Sequence, residues 1–331
     1  HPEYRHTTGV ETTTGPLGAG CGNSVGMAIA ERWLAAHFNR PGFTLFDYDT
    51  YVLCSDGDLM EGVASEAASI AGHLRLSNLC WIYDNNTITI EGHTELAFSE
   101  EVATRFLAYG WQVLRVADAN DVHAIAAALE TFLQSSDRPT IIIVNSIIGY
   151  GAPTKQNTAK AHSDALGPDE VKGAKRAYGW PEDAEFLVPD GVKEVFRDGI
   201  GKRGAALYDQ WQGFLTAAKQ GDPEHAEALD AFFEGRLPEG WDRDIPVFEA
   251  DAKGLATRES SGKVLNAIAK HVPFLLGGSA DLAPSNKSNL TFEGAGSLTP
   301  FEPGGRNIHF GVREHAMGSI VNGLGLSGLR A

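Results

Sequence analysis

Two apolar runs, each ending in an oxygen-rich turn, constrain this chain more than any other feature. Tyr51-Val52-Leu53-Cys54 leads into Ser55-Asp56-Gly57-Asp58, and Leu79-Cys80-Trp81-Ile82-Tyr83 leads into Asp84-Asn85-Asn86-Thr87-Ile88. Both runs have the length and composition of buried strands, and the segment between them, Leu59 to His73, is rich in small, helix-compatible residues. The unit reads as strand, crossover helix, parallel strand. Such a unit sets its two carboxyl ends side by side, where ligands of open parallel sheets bind. Asp56 and Asn86 then offer one charged and one neutral hard oxygen to a single cation. Magnesium suits that arrangement, because it keeps few protein ligands and takes the rest from phosphate and water. The backbone N–H of Gly57, opening a helix, is placed to meet a diphosphate oxygen. Each piece alone has a plainer reading: Asp-Gly is a common turn dipeptide, and Asp-Asn-Asn can simply close a strand.

The 331 residues suggest about two domains with ample length for a buried core. Forty-three acidic against 27 basic side chains give a formal charge of −16, which argues against nucleic-acid binding through a basic surface and against anionic membranes. Any phosphate site must therefore be local. No apolar run approaches a membrane span and no signal segment opens the chain, so the expectation is a cytoplasmic protein. Cys21, Cys54 and Cys80 form no Cys-x-x-Cys pair and argue against a disulfide frame or zinc site. The chain opens on His1-Pro2-Glu3 without methionine, and the expectation is an incomplete chain.

Residues 7 to 20 read as a Gly/Thr-rich loop feeding a small-residue helix through about His37, whose Gly18, Gly20, Gly22 and Gly26 permit close packing. Strand and helix then alternate: Val113 to Val116, a helix from Val122 to Gln134, and a β-branched strand from Pro139 to Ile148. This predicts an α/β fold with a doubly wound parallel sheet. Residues 154 to about 250 read as a connecting region with helical patches. A second α/β unit begins near Arg258, with a helix to about His271, a strand from Pro273 to Leu276, a loop from Gly277 to Asn286, a strand from Asn307 to Phe310, and an unfinished helix from about Glu314. Parallel sheets normally need both faces covered, so this second domain reads as cut short.

Several stretches carry a resemblance to one family: Thr13-Thr14-Gly15-Pro16-Leu17-Gly18, Asp56-Gly57 through Asp84-Asn85-Asn86, Ile147-Ile148-Gly149-Tyr150-Gly151, Gly277-Gly278-Ser279-Ala280-Asp281-Leu282-Ala283-Pro284-Ser285-Asn286, and Gly311-Val312-Arg313-Glu314. The chain resembles the transketolases, which use thiamine diphosphate, over nearly its whole length. The Asp-Gly to Asn pair alone would indicate only some thiamine-diphosphate enzyme; the Gly-Gly-Ser-Ala-Asp-Leu-Ala-Pro-Ser-Asn run narrows it to transketolases and their nearest relatives.

The resemblance implies a thiamine-diphosphate-binding fold, with residues 1–153 as the diphosphate-binding domain, 154–250 as a connection, and 251–331 as the start of the pyrimidine-binding domain. It implies that Asp56, Asn86 and the main-chain carbonyl of Ile88 hold Mg2+, or Ca2+ or Mn2+, against the cofactor diphosphate, with Gly15, Leu17 and Gly57 at the cofactor. Ser55 stands where family members usually carry Gly. Glu314 would share a proton with the aminopyrimidine nitrogen and so promote formation of the thiazolium ylide; as the first acid of an apolar helix it would otherwise only complement the helix dipole. Family members place this acid on one subunit and the metal on the other, which implies a homodimer or a complementary subunit. Glu61 and Glu66 match acids linking the two sites, or are solvated helix acids. Arg258 and Ser285 match sugar-phosphate contacts, a role suited to a guanidinium fork and a hydroxyl. His162 and His1 match histidines near the substrate carbonyl and hydroxyls, and Asp281 a residue between cofactor and donor sugar, or a helix cap.

The implied reaction moves a two-carbon ketol unit from a ketose phosphate to an aldose phosphate, in the pentose phosphate pathway or Calvin cycle. The rivals are dihydroxyacetone synthase or deoxyxylulose-phosphate synthase, and a non-catalytic fragment or one subunit of a split enzyme. By the resemblance, two more histidines belong upstream of His1, and an aromatic pocket and third domain belong beyond Ala331.

Overall fold

The alternation of β-branched runs with small-residue helices builds a parallel sheet in the computed structural model, which describes residues 3–331. In chain order come α1 (Ala19–Phe38), β1 (Thr50–Ser55), α2 (Asp56–Met60), α3 (Gly62–His73), β2 (Leu79–Asn85), α4 (Val102–Ala108), β3 (Gln112–Val116), α5 (Val122–Leu133) and β4 (Thr140–Asn145). The strands pair in the order β1-β2-β4-β3, all parallel. Side chains alternate between two cores. Trp81, Tyr83, Ile141 and Ile143 join the core formed with α1, α3 and α4, whereas Cys80, Ile82, Ile142 and Val144 join Ala128 and Phe132 of α5. Both faces of the central strands β2 and β4 are thus covered, as a parallel sheet requires, whereas β1, at the sheet edge, leaves Tyr51 and Leu53 exposed rather than buried as its apolar run predicts.

The polar stretch that follows is largely helical, as α6 (Ala159–Ser163), α7 (Pro168–Ala177), α8 (Val192–Phe196), α9 (Lys202–Gly221) and α10 (Pro223–Glu234). It is also part of the core: Phe232 of α10 lies 5.8 Å, ring to ring, from Phe38 and 6.4 Å from Phe274. The last segment forms α11 (Thr257–His271), β5 (Gly277–Ser279), α12 (Ala283–Asn286), β6 (Asn307–His309) and α13 (Glu314–Leu326), with β5 and β6 parallel.

Three further expectations need correction. The predicted crossover helix is two helices, broken at Glu61, whose backbone is extended (φ −68°, ψ 134°). The strand expected at Pro273 to Leu276 lies instead at Gly277–Ser279, within the expected loop. Gly278 permits the shift, since a Cβ there would fall 1.7 Å from the Ile308 carbonyl oxygen. The apolar run before it pairs with the end of the chain, Leu276 N–H donating to Arg330 O and Arg330 N–H to Phe274 O, each at 2.9 Å. Helix α13, expected to be unfinished, ends at Leu326, and Gly328 (φ 89°) turns the chain back toward β5.

Helix α13 joins the last segment to the first by lying across α1. A Cβ on Gly26 would fall 2.1 Å from Ile320 O, and one on Gly323 1.9 Å from Asn23 O, so only hydrogen at both positions lets the backbones meet. Replacing Gly323 by Ala is expected to lower stability by about 1–3 kcal/mol through overpacking, read as a drop in melting temperature; an unchanged melt would contradict this packing.

Glu31 of α1 is buried and accepts from Asn78 Nδ2 at 2.8 Å. Burial, with Asp47 nearby and against the opposing pull of Arg32, pushes its carboxyl from 4.5 up to about 7. Between those values the unfolded chain ionises Glu31 before the folded one does, so its contribution to stability falls as pH rises from about 4.5 to about 7 and then stays low. Glu31→Gln should therefore match the wild type near pH 4 and exceed its stability at pH 8 by on the order of 2 kcal/mol. Thermal or denaturant unfolding at both pH values checks this, and a variant less stable at pH 8 would refute it.

Candidate functional site at the paired strand ends

Parallel register sets the ends of β1 and β2 against each other, Ser55 beside Asp84. Asp58 closes the first turn. Its Oδ2 accepts from Ser55 N–H at 2.9 Å and from the Ser55 hydroxyl at 3.1 Å, while Oδ1 accepts from Gly18 N–H at 2.8 Å. Ser55 sits at φ −126°, which any residue adopts, and its hydroxyl tightens the turn. The same carboxylate holds the loop containing Gly15 and Leu17 over α2.

Asp56 is 2% exposed, and its carboxylate accepts from the Tyr83 hydroxyl at Oδ1 (2.6 Å) and from Thr87 N–H at Oδ2 (3.1 Å). Burial raises its pKa, opposed by those two hydrogen bonds. Among the described residues no cationic side chain forms an ion pair with it. A buried carboxylate without a positive partner is costly, and a divalent cation would supply one. Asn86, 8% exposed, accepts from Ile88 N–H at Oδ1 and donates through Nδ2 to Asp84 Oδ2, each at 3.0 Å. Each of these carboxylate and amide oxygens still has a free lone pair. Thr87, between them, has φ 61°, a costly conformation for a β-branched residue that aims its N–H at Asp56. The donor set therefore fits a hard cation with few protein ligands.

A cleft of about 440 Å³ opens above these strand ends and brings together Leu17, Gly57, Glu61, Asn86, Ile88 and His162 from separate segments of the chain. Ser55, Thr89 and His93 also line it. Gly57 packs against Leu17, whose Cδ1 would stand 3.1 Å from an added Cβ. Asp56 lies buried among the same strand ends, and Gly15 is exposed on the covering loop.

The remaining expected residues lie elsewhere. Glu314 is exposed at the start of α13 and does not line the cleft. Glu66 is half-buried on α3, where its Oε2 accepts from Ala316 N–H at 2.9 Å, so it caps α13 rather than facing solvent. Arg258 on α11 and Ser285 on α12 are both exposed, on helices that touch. Asp281 is exposed with φ 63° and caps no helix; α12 has no side-chain cap, and the Ser279 hydroxyl accepts from Leu282 N–H, just before it, at 3.0 Å. His1 lies outside the described residues. Sequence reasoning passed over Asp58, Tyr83 and Thr87. The Ser55-x-x-Asp58 spacing is a capping-box signal for the first; nothing local marks the positive φ of Thr87.

Comparison with known proteins identifies the family. Residues 1–238 match the family model of the transketolase thiamine diphosphate binding domain, and residues 253–331 that of the transketolase pyrimidine binding domain. A transketolase of Geobacillus stearothermophilus is 53% identical over 99% of this chain and 49% of its own length. The transketolase of Leishmania mexicana superposes with a TM-score of 0.94 at 40% identity, over 99% of this chain and 48% of its own. A Pichia stipitis transketolase solved in complex with sedoheptulose 7-phosphate gives 0.93 at 41% identity, over 99% and 49%. The chain spans about half the length of the curated relatives it matches. Among the described residues no helix is long and apolar enough to cross a membrane. With both transketolase domain models matched over nearly its whole length, the chain belongs to the transketolase family.

Proposed function

We propose that this chain carries the metal–diphosphate half of a thiamine-diphosphate site whose complete reaction moves a two-carbon ketol unit from a ketose phosphate to an aldose phosphate. The observation that carries this reading is the single cleft gathering Leu17, Gly57, Asn86 and Ile88 at strand ends where the buried Asp56 carboxylate has no cationic partner among the described residues. Asp56, Asn86 and the carbonyl of Ile88 hold a magnesium ion, and Gly15, Leu17 and Gly57 face the cofactor. Bound there, thiamine diphosphate with its magnesium supplies the carbanion chemistry that breaks and remakes a carbon–carbon bond. Residues 1–153 act as the diphosphate-binding part, 154–250 as the connection and 251–331 as the opening of the pyrimidine-binding part.

The other groups act on the substrate or across an interface. Arg258 and Ser285 bind the sugar phosphate, with a guanidinium fork and a hydroxyl for a dianion. His162, on the cleft wall, donates to the substrate oxygen on which charge develops; His1 and Asp281 serve the donor sugar. Glu314, exposed and outside this chain's own cleft, projects to the cleft of a second subunit, where its carboxyl exchanges a proton with the aminopyrimidine nitrogen. Glu61 on the cleft wall and Glu66 on the cap of α13 lie along the path joining the two sites. The assembly is a cytoplasmic homodimer, or a pair with a complementary subunit, serving the pentose phosphate pathway or Calvin cycle.

Pichia stipitis transketolase structures are described in complex with xylulose 5-phosphate and sedoheptulose 7-phosphate, which supports sugar phosphates as the substrate class. With thiamine diphosphate and magnesium, xylulose 5-phosphate and ribose 5-phosphate are expected to give sedoheptulose 7-phosphate and glyceraldehyde 3-phosphate. The same separation of Glu314 from this chain's cleft is met equally by a second reading, a component that turns over only with a complementary subunit. Transfer by this chain alone excludes that second reading; no transfer with bound cofactor favours it. Glu314→Gln should retain cofactor binding while slowing exchange of the cofactor C2 proton about 10²–10⁴-fold. An unaltered exchange rate by NMR would remove Glu314 from its assigned role.

A further inference from the structure

Tyr83 and Asp84 are neighbours on β2, so their side chains leave opposite faces of the sheet. Each nevertheless ends on one of the two strand-end ligands. The Tyr83 hydroxyl, on a side chain only 2% exposed, lies 2.6 Å from Asp56 Oδ1 and 3.1 Å from Asn85 Oδ1. It has one proton, and the shorter contact, to the charged acceptor, takes it. The Asp84 carboxylate accepts from Asn86 Nδ2 at 3.0 Å through Oδ2, while Ser146 Oγ donates to its Oδ1.

These contacts decide orientation. The two ends of a carboxamide are alike in shape, so its partners alone determine which end points where. Asp84 can only accept and Ile88 N–H can only donate, which leaves Asn86 a single satisfied orientation, with Nδ2 on Asp84 and Oδ1 beside Ile88. Tyr83 on Oδ1 and Thr87 N–H on Oδ2 likewise fix the plane of the Asp56 carboxylate.

We propose that Tyr83 and Asp84 are positioning residues for the metal-binding pair, Tyr83 through the carboxylate of Asp56 and Asp84 through the amide of Asn86. This deepens the proposed function and rests on it. Partners that orient a ligand without touching the metal typically alter affinity 10–100-fold when lost. Magnesium requires near-ideal octahedral geometry, whereas calcium tolerates irregular sites, so loosened ligands penalise magnesium more.

Tyr83→Phe keeps the buried ring and removes only the hydroxyl. Asp84→Asn keeps the shape but offers Asn86 either a donor or an acceptor, and its exposed position leaves the core untouched. Mg2+ and Ca2+ are titrated separately into wild type and both variants at saturating thiamine diphosphate, with thermal melts recorded without cation. Magnesium affinity is expected to fall about 10-fold or more and calcium affinity less, with cation-free melts close to wild type. A magnesium-to-calcium affinity ratio equal to the wild type in both variants overturns the inference, whether affinities are unchanged or fall together with the melting temperature. Cofactor binding by the wild-type chain that depends on neither cation overturns the proposed function and this inference with it.

Discussion

A carboxylate buried with hydrogen-bond donors but, among the described residues, no cationic side chain beside it sets the terms for this structure. Asp56 stands at the end of β1, beneath the cleft, and its oxygens are held by the Tyr83 hydroxyl and the Thr87 amide. Those donors offset part of the desolvation without neutralising the charge. The backbone cost at Thr87, a β-branched residue at φ 61°, is borne in the same few ångströms. Backbone strain and a buried charge at one point are what the proposed cation site rests on. The parallel register of β1 and β2 is what lets Asn86 contribute from the adjacent strand.

The second constraint is the contact between α1 and α13. Backbones that meet at Gly26 and Gly323 lock the last segment onto the first, and Glu66 adds a carboxylate to the N-terminus of α13, at Ala316. Glu314 therefore occupies a fixed place relative to α3, which follows directly from the strand-end turn and its short α2. The turn after β1, α2, α3 and Glu66 thus form a continuous chain of contacts to the first turn of α13. The same contact fixes Glu314 at a surface, exposed, where a second subunit can meet it.

Much of this was readable from residue order. The apolar runs at 51–54 and 79–83, with turn residues after each, specify two parallel strand ends, and β-branched Ile141 to Val144 specify a strand covered on both faces. Composition misled where backbone needs outweighed side-chain preference. Phe274 to Leu276 are apolar enough for a strand, but the pairing with β6 passes to Gly277–Ser279, because only glycine admits the Ile308 carbonyl. The break at Glu61 is signalled locally by the following Gly62, a poor helix former, and not by Glu61 itself. Ser55 in place of the family's usual glycine is explained by its hydroxyl and N–H meeting Asp58. Tyr83 reads in sequence as another apolar strand residue, and only the fold shows its hydroxyl reaching Asp56.

The most direct measurement is calorimetric titration of this chain and of Asp56→Ala with thiamine diphosphate, with and without magnesium, alongside the mass in solution and a melt of each protein. The account predicts magnesium-dependent binding by the wild-type chain, and loss of that binding in a variant that still melts cooperatively. Binding by Asp56→Ala as tight as that of the wild type, or binding by the wild type indifferent to magnesium, would contradict it.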